Sequence, residues 1–256
     1  MNSRYVVTPY FLDEDLPQLE TLASSGWYVN KPFPGEGDQM TRISVIHESL
    51  AGYIAEVLGK GERPVSIAGD CCTAIGVLAG LQRKNIAPVL IWFDAHGDFN
   101  TWETTPSGFL GGMPLAMIVG RGDQRLVDAV GLKNIPEGMV ILAGARDLDP
   151  GEKAAIEDST IHVVPDPRSL PDYSIPDGPL YVHFDTDVVD PRDAPAMGYP
   201  AEGGPSAGEL REVFRFLSET GRIAAVSLSS WNPDMEGVDQ SRRICMDLLK
   251  TLVNEN

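Results

Sequence analysis

The chain has 256 residues, 43% of them hydrophobic and 22% charged, enough to bury a large core and ordinary in composition for a globular protein. A formal net charge of −17 argues against a nucleic-acid partner, because phosphate binding needs clustered Lys and Arg. No apolar run reaches bilayer length, no signal-peptide pattern opens the chain, and three cysteines make no disulfide framework, so the expectation is a cytoplasmic protein without membrane contact.

Tyr5 to Thr8 read as a first strand. A loop through Pro32, Pro34, Gly35 and Gly37 leads into a helix in which Ile43, Ile46, Leu50, Tyr53, Ile54 and Val57 recur at helical spacing. Gly59 to Gly61 end it, and His47 within it reads as structural or solvated and not as a ligand. Val65 to Ala68 form a short buried strand that breaks at Gly69-Asp70-Cys71-Cys72, before a helix carrying Ile75, Leu78 and Leu81. The apolar run Pro88 to Phe93 then ends in Asp94-Ala95-His96-Gly97-Asp98. A polar loop follows from Asn100 to Gly112, and a loop of that length beside a strand end points to function.

Leu115 to Val119 and Leu126 to Val130 read as helices, and Met139 to Ala143 as a buried strand running into Gly144 to Glu152, a turn that opens a helix. Ile161 to Val164 is a weaker strand with His162 at a surface or edge, and a Pro/Asp-rich linker runs from Pro165 to Pro179. A second carboxylate-ended stretch, Tyr181 to Asp187, precedes a Pro/Gly-rich loop from Val188 to Pro205. Ser206 with Glu209 forms a capping box for a helix over Ala207 to Glu219. Ile223 to Leu228 is a strand ending at Ser229-Ser230-Trp231-Asn232-Pro233, and a last helix buries Ile244, Leu248, Leu249 and Leu252. Strands and helices alternate, and the strands are apolar on both faces with polar residues at their ends. The pattern predicts an α/β fold, a mainly parallel sheet covered by helices, with its site at the carboxyl ends of the strands. No repeat or composition break divides residues 1–256, so one domain is expected.

Aspartates at strand ends often only cap helices. Here Asp94, His96 and Asp98 alternate on one strand end and Asp185 and Asp187 on another, and a buried convergence of that many carboxylates is untenable without cations. Hard oxygen donors with one nitrogen suit two divalent ions, manganese first, with magnesium, iron or zinc as alternatives. Two such ions about 3.5 Å apart can share a hydroxide and make it a nucleophile, so the implied chemistry is hydrolysis. His183 shares a face with Asp185; it is either a partner to a ligand or, the more ordinary reading, a satisfied core histidine.

The residues resemble the arginase and agmatinase family, the ureohydrolases. The similarity runs through Gly69-Asp70, Asp94 to Asp98 with Asn100, Ser107-Gly108, Arg146 to Glu152, Phe184 to Asp187 with Asp190-Pro191, and Asn232-Pro233. It implies a three-layer α/β/α fold around a parallel eight-stranded sheet and two manganese ions. One ion would be held by Cys71, Asp94, Asp98 and Asp185, the other by Asp94, His96, Asp185 and Asp187. Asp98 would help to move the proton as the tetrahedral intermediate collapses. Asn100, Ser107, Asp149 and Glu152 match positions that arginases use around the amino-acid end of the substrate, with Asp149 pairing the ammonium. Family members assemble into homo-oligomers, and the partner implied is a small amino-acid or guanidino substrate.

Three positions depart from the family pattern. The first metal ligand, a histidine in the family, is Cys71, a softer donor that either ligates as a thiolate or leaves one ion weakly held. The proton-shuttling histidine is replaced by Gly111. The glutamate that clamps the guanidinium is replaced by Ser230. A guanidinium without its carboxylate is costly in a closed site, whereas an N-hydroxylated guanidine is less basic and can bind neutral. The expected substrate is therefore Nω-hydroxy-L-arginine or a similarly modified arginine, giving ornithine and hydroxyurea or another urea derivative. The alternatives are an arginase, agmatinase or formimidoylglutamase that recruits Glu103 or Glu202, and an inactive metal-binding relative.

Overall fold

The computed structural model describes residues 1–255. Strand β1 (Ser3–Thr8) is followed by a hairpin of β2 (Tyr10–Phe11) and β3 (Glu14–Asp15), and then by β4 (Tyr28–Val29). Helix α1 (Gln39–Gly59) starts where the Asp38 carboxylate accepts the Thr41 N–H, and it buries Ile43, Ile46, Leu50, Ile54 and Val57 along one stripe. Next come β5 (Arg63–Ala68), α2 (Ala74–Gln82) and β6 (Val89–Phe93). Two short helices, α3 (Pro114–Ile118) and α4 (Arg125–Ala129), precede β7 (Val140–Ala143), α5 (Pro150–Glu157) and β8 (His162–Val164). The chain closes with β9 (Leu180–Asp185), α6 (Ala207–Glu219), β10 (Ile223–Ser229) and α7 (Val238–Val253).

Eight strands form one sheet in the order β4-β1-β5-β10-β9-β6-β7-β8, and every neighbouring pair is parallel. Alternate side chains of each strand feed two separate cores. Val6, Leu90, Trp92, Leu142 and Tyr181 pack under α1 to α5, while Val7, Ile67, Ile91, Phe93, Val182 and Phe184 pack under α6 and α7. The result is the expected three-layer α/β/α arrangement, with strands buried on both faces as parallel sheets require. The four central strands β5, β10, β9 and β6 end side by side. Their carboxyl ends deliver Cys71, Ser229 and Ser230, Asp185 and Asp94 to one place.

Local differences from the sequence reading have local causes. Asp187 lies beyond β9 in a 3-10 turn over Thr186–Val188, because the Asp185 carboxylate turns back to accept the Asp187 N–H and ends the strand. The Pro165 to Pro179 linker contains a 3-10 turn at Pro167–Asp172, capped by the Asp166 carboxylate on the Arg168 N–H. The short β2, β3 and β4 lie in a stretch whose sequence shows no alternation long enough to be read. His47 is buried and kept neutral by that burial, which lowers it to about 3, so it is structural and not solvated. No helix among the described residues is long and apolar enough to cross a membrane.

The α1–α2 contact is tight enough to invert a helix-propensity rule. A Cβ on Gly80 would stand 2.5 Å from Ile54 Cβ and 2.9 Å from the Ala51 carbonyl oxygen, neither of which can swing aside. Alanine is better than glycine in a helix by about 1 kcal/mol, but overpacking costs about 1–3 kcal/mol. Gly80→Ala is therefore expected to lower the urea denaturation midpoint; an unchanged or raised midpoint would show that the two helices can part freely.

Candidate active site

The strand ends open into a cleft of about 450 Å³. Asp94 follows β6 and Asp185 ends β9, adjacent strands in register at Phe93 and Phe184, so the two carboxylates meet at one level of the sheet. One oxygen of each is anchored by the main chain: Asp94 Oδ1 accepts the His96 N–H at 2.7 Å and Asp185 Oδ1 accepts the Asp187 N–H at 2.9 Å. Asp187 Oδ1 accepts the Ala95 N–H at 3.0 Å, tying the two strand ends together. The Trp92 indole N–H donates to Asp94 Oδ2 at 3.1 Å. His96 turns its Nδ1 toward Asp187 Oδ2 at 3.0 Å and Asp94 Oδ1 at 3.4 Å. Cys71 Sγ stands 2.8 Å from Asp185 Oδ2, 3.0 Å from Ser229 Oγ and 3.5 Å from Ser230 Oγ.

Asp98 is held differently. Its backbone is left-handed (φ 49), a conformation that aspartate tolerates better than most residues, and its carbonyl caps the start of α3 by accepting from Leu115 and Ala116. Its side-chain Oδ2 is buried and has no hydrogen-bond partner. Burial raises Asp98 well above the ordinary carboxylate range, with repulsion from Asp94 and Asp185 adding to it. Asp94 is raised by burial and by Asp185. Burial and Asp187 push Asp185 to about 8, and burial and Asp94 push Asp187 to about 6. Burial and the neighbouring aspartates likewise raise the Cys71 thiol. For His96, burial alone would lower the value, but its contacts with Asp187 and Asp94 outweigh that and push it up to about 12.

This donor set fits divalent cations. Four buried carboxylates with one partnerless oxygen face a single imidazole. Ligand atoms of Asp94, His96 and Asp187 lie within 4.8 Å of one another, as do those of Cys71, Asp94 and His183. His183 is already satisfied, with Nδ1 2.8 Å from Ser227 Oγ and Nε2 3.3 Å from Ser229 Oγ, and its ring stacks on Trp92 at 3.7 Å. It is a core histidine one hydroxyl removed from Cys71.

The other side of the cleft carries the residues matched to amino-acid recognition. Asn100 Nδ2 donates to Asp149 Oδ2 at 2.9 Å, and Ser107 lies on the exposed loop nearby. Glu152 lines the cleft, but Oε1 accepts the Phe99 N–H and Oε2 the Asp149 N–H, so its carboxylate braces the loop beneath the site. Ser230, at the end of β10, also has a left-handed backbone (φ 67) and lines the cleft. Neither Glu103 nor Glu202 is among the lining residues.

Some features of the cleft escaped the sequence reading. An aromatic wall runs from Phe11, on the β2–β3 hairpin, to Phe109 at 6.1 Å and on to Tyr199 at 5.5 Å, with His96 edge-on to Tyr199 at 6.4 Å. Phe109 explains Gly111: a Cβ at that position would fall 2.4 Å from the Phe109 ring, so the ring occupies the space where a histidine side chain would begin. Arg146 holds the loop bearing Tyr199 in place, its guanidinium donating to the carbonyls of Gly144, Asp187, Ala201 and Glu202. Arg146 was visible as the first residue of a motif and Phe109 only as part of the polar loop from Asn100 to Gly112; Phe11 gave no signal.

The electrostatics predict a pH dependence that metal removes. Without cations, folded Asp185 and Asp187 keep protons that the unfolded chain releases near pH 4, up to about pH 8 for Asp185. The folded state then binds more protons across that window, so stability falls as pH rises through it. His96 acts in the same direction, since its raised value adds stability below about pH 6.5 that is lost at higher pH. Chelator-treated protein is expected to melt at progressively lower temperature from pH 5 to pH 8, while manganese-saturated protein does not. Parallel curves with and without metal would refute this account.

The arginase-family sequence profile matches residues 29–254. The chain is 34% identical to the arginase of Bacillus subtilis over 223 residues, covering 82% of this chain and 75% of that protein. It is 29% identical to the Nω-hydroxy-L-arginine amidinohydrolase of Streptomyces lavendulae over 239 residues, 90% of this chain and 85% of the relative. The crystal structure of the Bacillus cereus arginase superposes with a TM-score of 0.85 at 26% identity, covering 100% of this chain and 99% of that one. The chain belongs to the arginase family, the metal-dependent hydrolases of amidine C–N bonds.

Proposed function

We propose that this ureohydrolase cleaves Nω-hydroxy-L-arginine to L-ornithine and hydroxyurea, using two manganese ions. One is held by Cys71, Asp94, Asp98 and Asp185, the other by Asp94, His96, Asp185 and Asp187. The observation that carries the substrate is the replacement of both charged tail contacts by neutral ones: a Ser230 hydroxyl where the family clamp is a carboxylate, and Phe109 in the space of the shuttle histidine. The similarity to the Streptomyces lavendulae amidinohydrolase supports the same reading.

The chain's own groups divide the work. Asp149, oriented by Asn100, pairs the substrate ammonium. Ser230 meets the uncharged hydroxyguanidine tail, which a site without the clamp carboxylate tolerates better than a permanent guanidinium. Phe11, Phe109 and Tyr199 exclude water from the tail. Asp98, with its free Oδ2, is placed to accept a proton and to return it to the departing ornithine amine. The bound cation pair supplies Lewis acidity and lowers the pKa of water.

A substrate panel with manganese-loaded protein tests this: arginine, Nω-hydroxyarginine, agmatine, formiminoglutamate and guanidinobutyrate. The hydroxylated substrate is expected to exceed arginine in kcat/KM by about tenfold or more, about 1.4 kcal/mol of differential transition-state binding. Arginine as the better substrate would sink the tail reading, and no turnover at all would favour an inactive relative.

A carboxylate returned at position 230 would stand beside the Cys71 sulfur, 3.5 Å from the present Ser230 hydroxyl, so the clamp must be restored together with the histidine ligand. The Cys71→His/Ser230→Glu double variant is expected to shift the substrate ratio toward arginine by about tenfold. The shift is measured as the ratio of the two kcat/KM values. An unchanged ratio would show that Ser230 does not face the tail.

A further inference from the structure

A buried line of polar side chains runs from the core to Cys71. Tyr181 OH lies 2.7 Å from Ser227 Oγ, Ser227 Oγ 2.8 Å from His183 Nδ1, His183 Nε2 3.3 Å from Ser229 Oγ, and Ser229 Oγ 3.0 Å from Cys71 Sγ. None of the five is more than 4% exposed. They come from the neighbouring strands β9 and β10 and the turn after β5, with His183 and Ser227 in register and Asp185 opposite Ser229.

Counting protons fixes the direction of this line. Among the described residues the Tyr181 hydroxyl has one hydrogen-bond partner, so it donates to Ser227, because a buried donor left unmade is costly. Ser227 has a single proton and must give it to His183 Nδ1. Nδ1 is then an acceptor, and a neutral imidazole carries its proton on Nε2, which donates to Ser229. A doubly protonated ring would leave the Ser227 proton without an acceptor. Ser229, accepting from His183, directs its own proton at Cys71 Sγ. Every donor points the same way as far as the sulfur, which as a thiol passes its own proton on to Asp185 Oδ2 at 2.8 Å and as a metal ligand would end the line.

We propose that Tyr181, Ser227, His183 and Ser229 form a one-way hydrogen-bond chain that reaches Cys71 and orients its sulfur as a ligand of a divalent cation. These four are positioning residues, and the proposal rests on the reading that Cys71 binds metal. The physical basis is that a donor fixed behind a ligand atom orients it and leaves its remaining lone pairs for the cation. A neutral donor does this for a sulfur surrounded by Asp94, Asp98 and Asp185 without adding a charge to the site. Groups that orient a metal ligand from behind are worth about 10- to 100-fold in metal affinity.

Cobalt substitution tests both layers, because a thiolate bound to Co²⁺ gives a near-ultraviolet charge-transfer band that oxygen and nitrogen ligands do not. Wild-type protein is expected to show the band and Cys71→Ser to lack it. Ser229→Ala should weaken Co²⁺ binding about 10- to 100-fold and displace or diminish the band, with Ser229→Thr, which keeps the hydroxyl, restoring both. Tyr181→Phe, which removes the donor that sets the direction from far outside the cleft, should move the band the same way by a smaller amount. It carries the test if the metal-free Ser229→Ala protein melts too low to be loaded. No band in the wild type overturns the thiolate reading and the chain with it. A wild-type band that survives in Ser229→Ala and Tyr181→Phe at unchanged affinity overturns the chain alone.

Discussion

Repulsion among Asp94, Asp98, Asp185 and Asp187 is the constraint on which the rest of this structure depends. Each is at most 6% exposed, and a buried charge without a partner costs several kcal/mol. The cationic group within the cluster is His96; Arg146, the nearest guanidinium, is committed to four main-chain carbonyls. Protons or cations must enter for the folded chain to tolerate the arrangement. The surrounding backbone is built to hold the carboxylates in place, since Asp94, Asp185 and Asp187 each have an oxygen fixed by an N–H of the same two strand ends. Anchoring of that kind is what preorganisation for a cation requires.

Asp94, His96 and Asp98, and Asp185 and Asp187, were legible as polar clusters closing two apolar runs, but strand alternation is not what brings them together: β6 ends at Phe93, Asp98 is left-handed and Asp187 lies in a 3-10 turn. The parallel sheet was legible too, from strands apolar on both faces. Strand order was not legible. That β6 lies between β9 and β7, and β10 between β5 and β9, is decided by packing between segments more than a hundred residues apart in places. The ordinary reading of strand-end aspartates as caps also holds in part: Asp185 caps the turn that carries Asp187, and it offers the site only its second oxygen. A residue can satisfy both readings because a carboxylate has two oxygens.

Phe11 shows the limit most clearly. It reaches the cleft from a hairpin of two-residue strands, too short to leave a periodicity, and its role exists only through Phe109, ninety-eight positions away. Gly111, by contrast, was visible as a departure from a motif, but only as a lost histidine, with no link to Phe109. In the structure they are one change, a ring filling the volume of an imidazole. Dense packing couples substitutions that a sequence presents as independent.

A similar coupling joins Cys71 and Ser230, and here charge, not volume, connects them. Relative to the family pattern, a neutral histidine becomes a cysteine that ligates only as an anion, while an anionic glutamate becomes a neutral serine. The side chains are neighbours, Sγ and Oγ 3.5 Å apart. A thiolate and a carboxylate at that separation would repel strongly in a site already holding four aspartates. Each departure alone would change the charge of the cleft by one unit; together they leave it unchanged and move the negative group from the substrate side to the metal side. Under the proposed assignment the cations would meet a softer and more strongly donating ligand, and the substrate tail would lose its clamping carboxylate. A neutral tail would suit that redistribution, which would make the altered ligand and the altered substrate contact of the proposed function two aspects of one electrostatic solution.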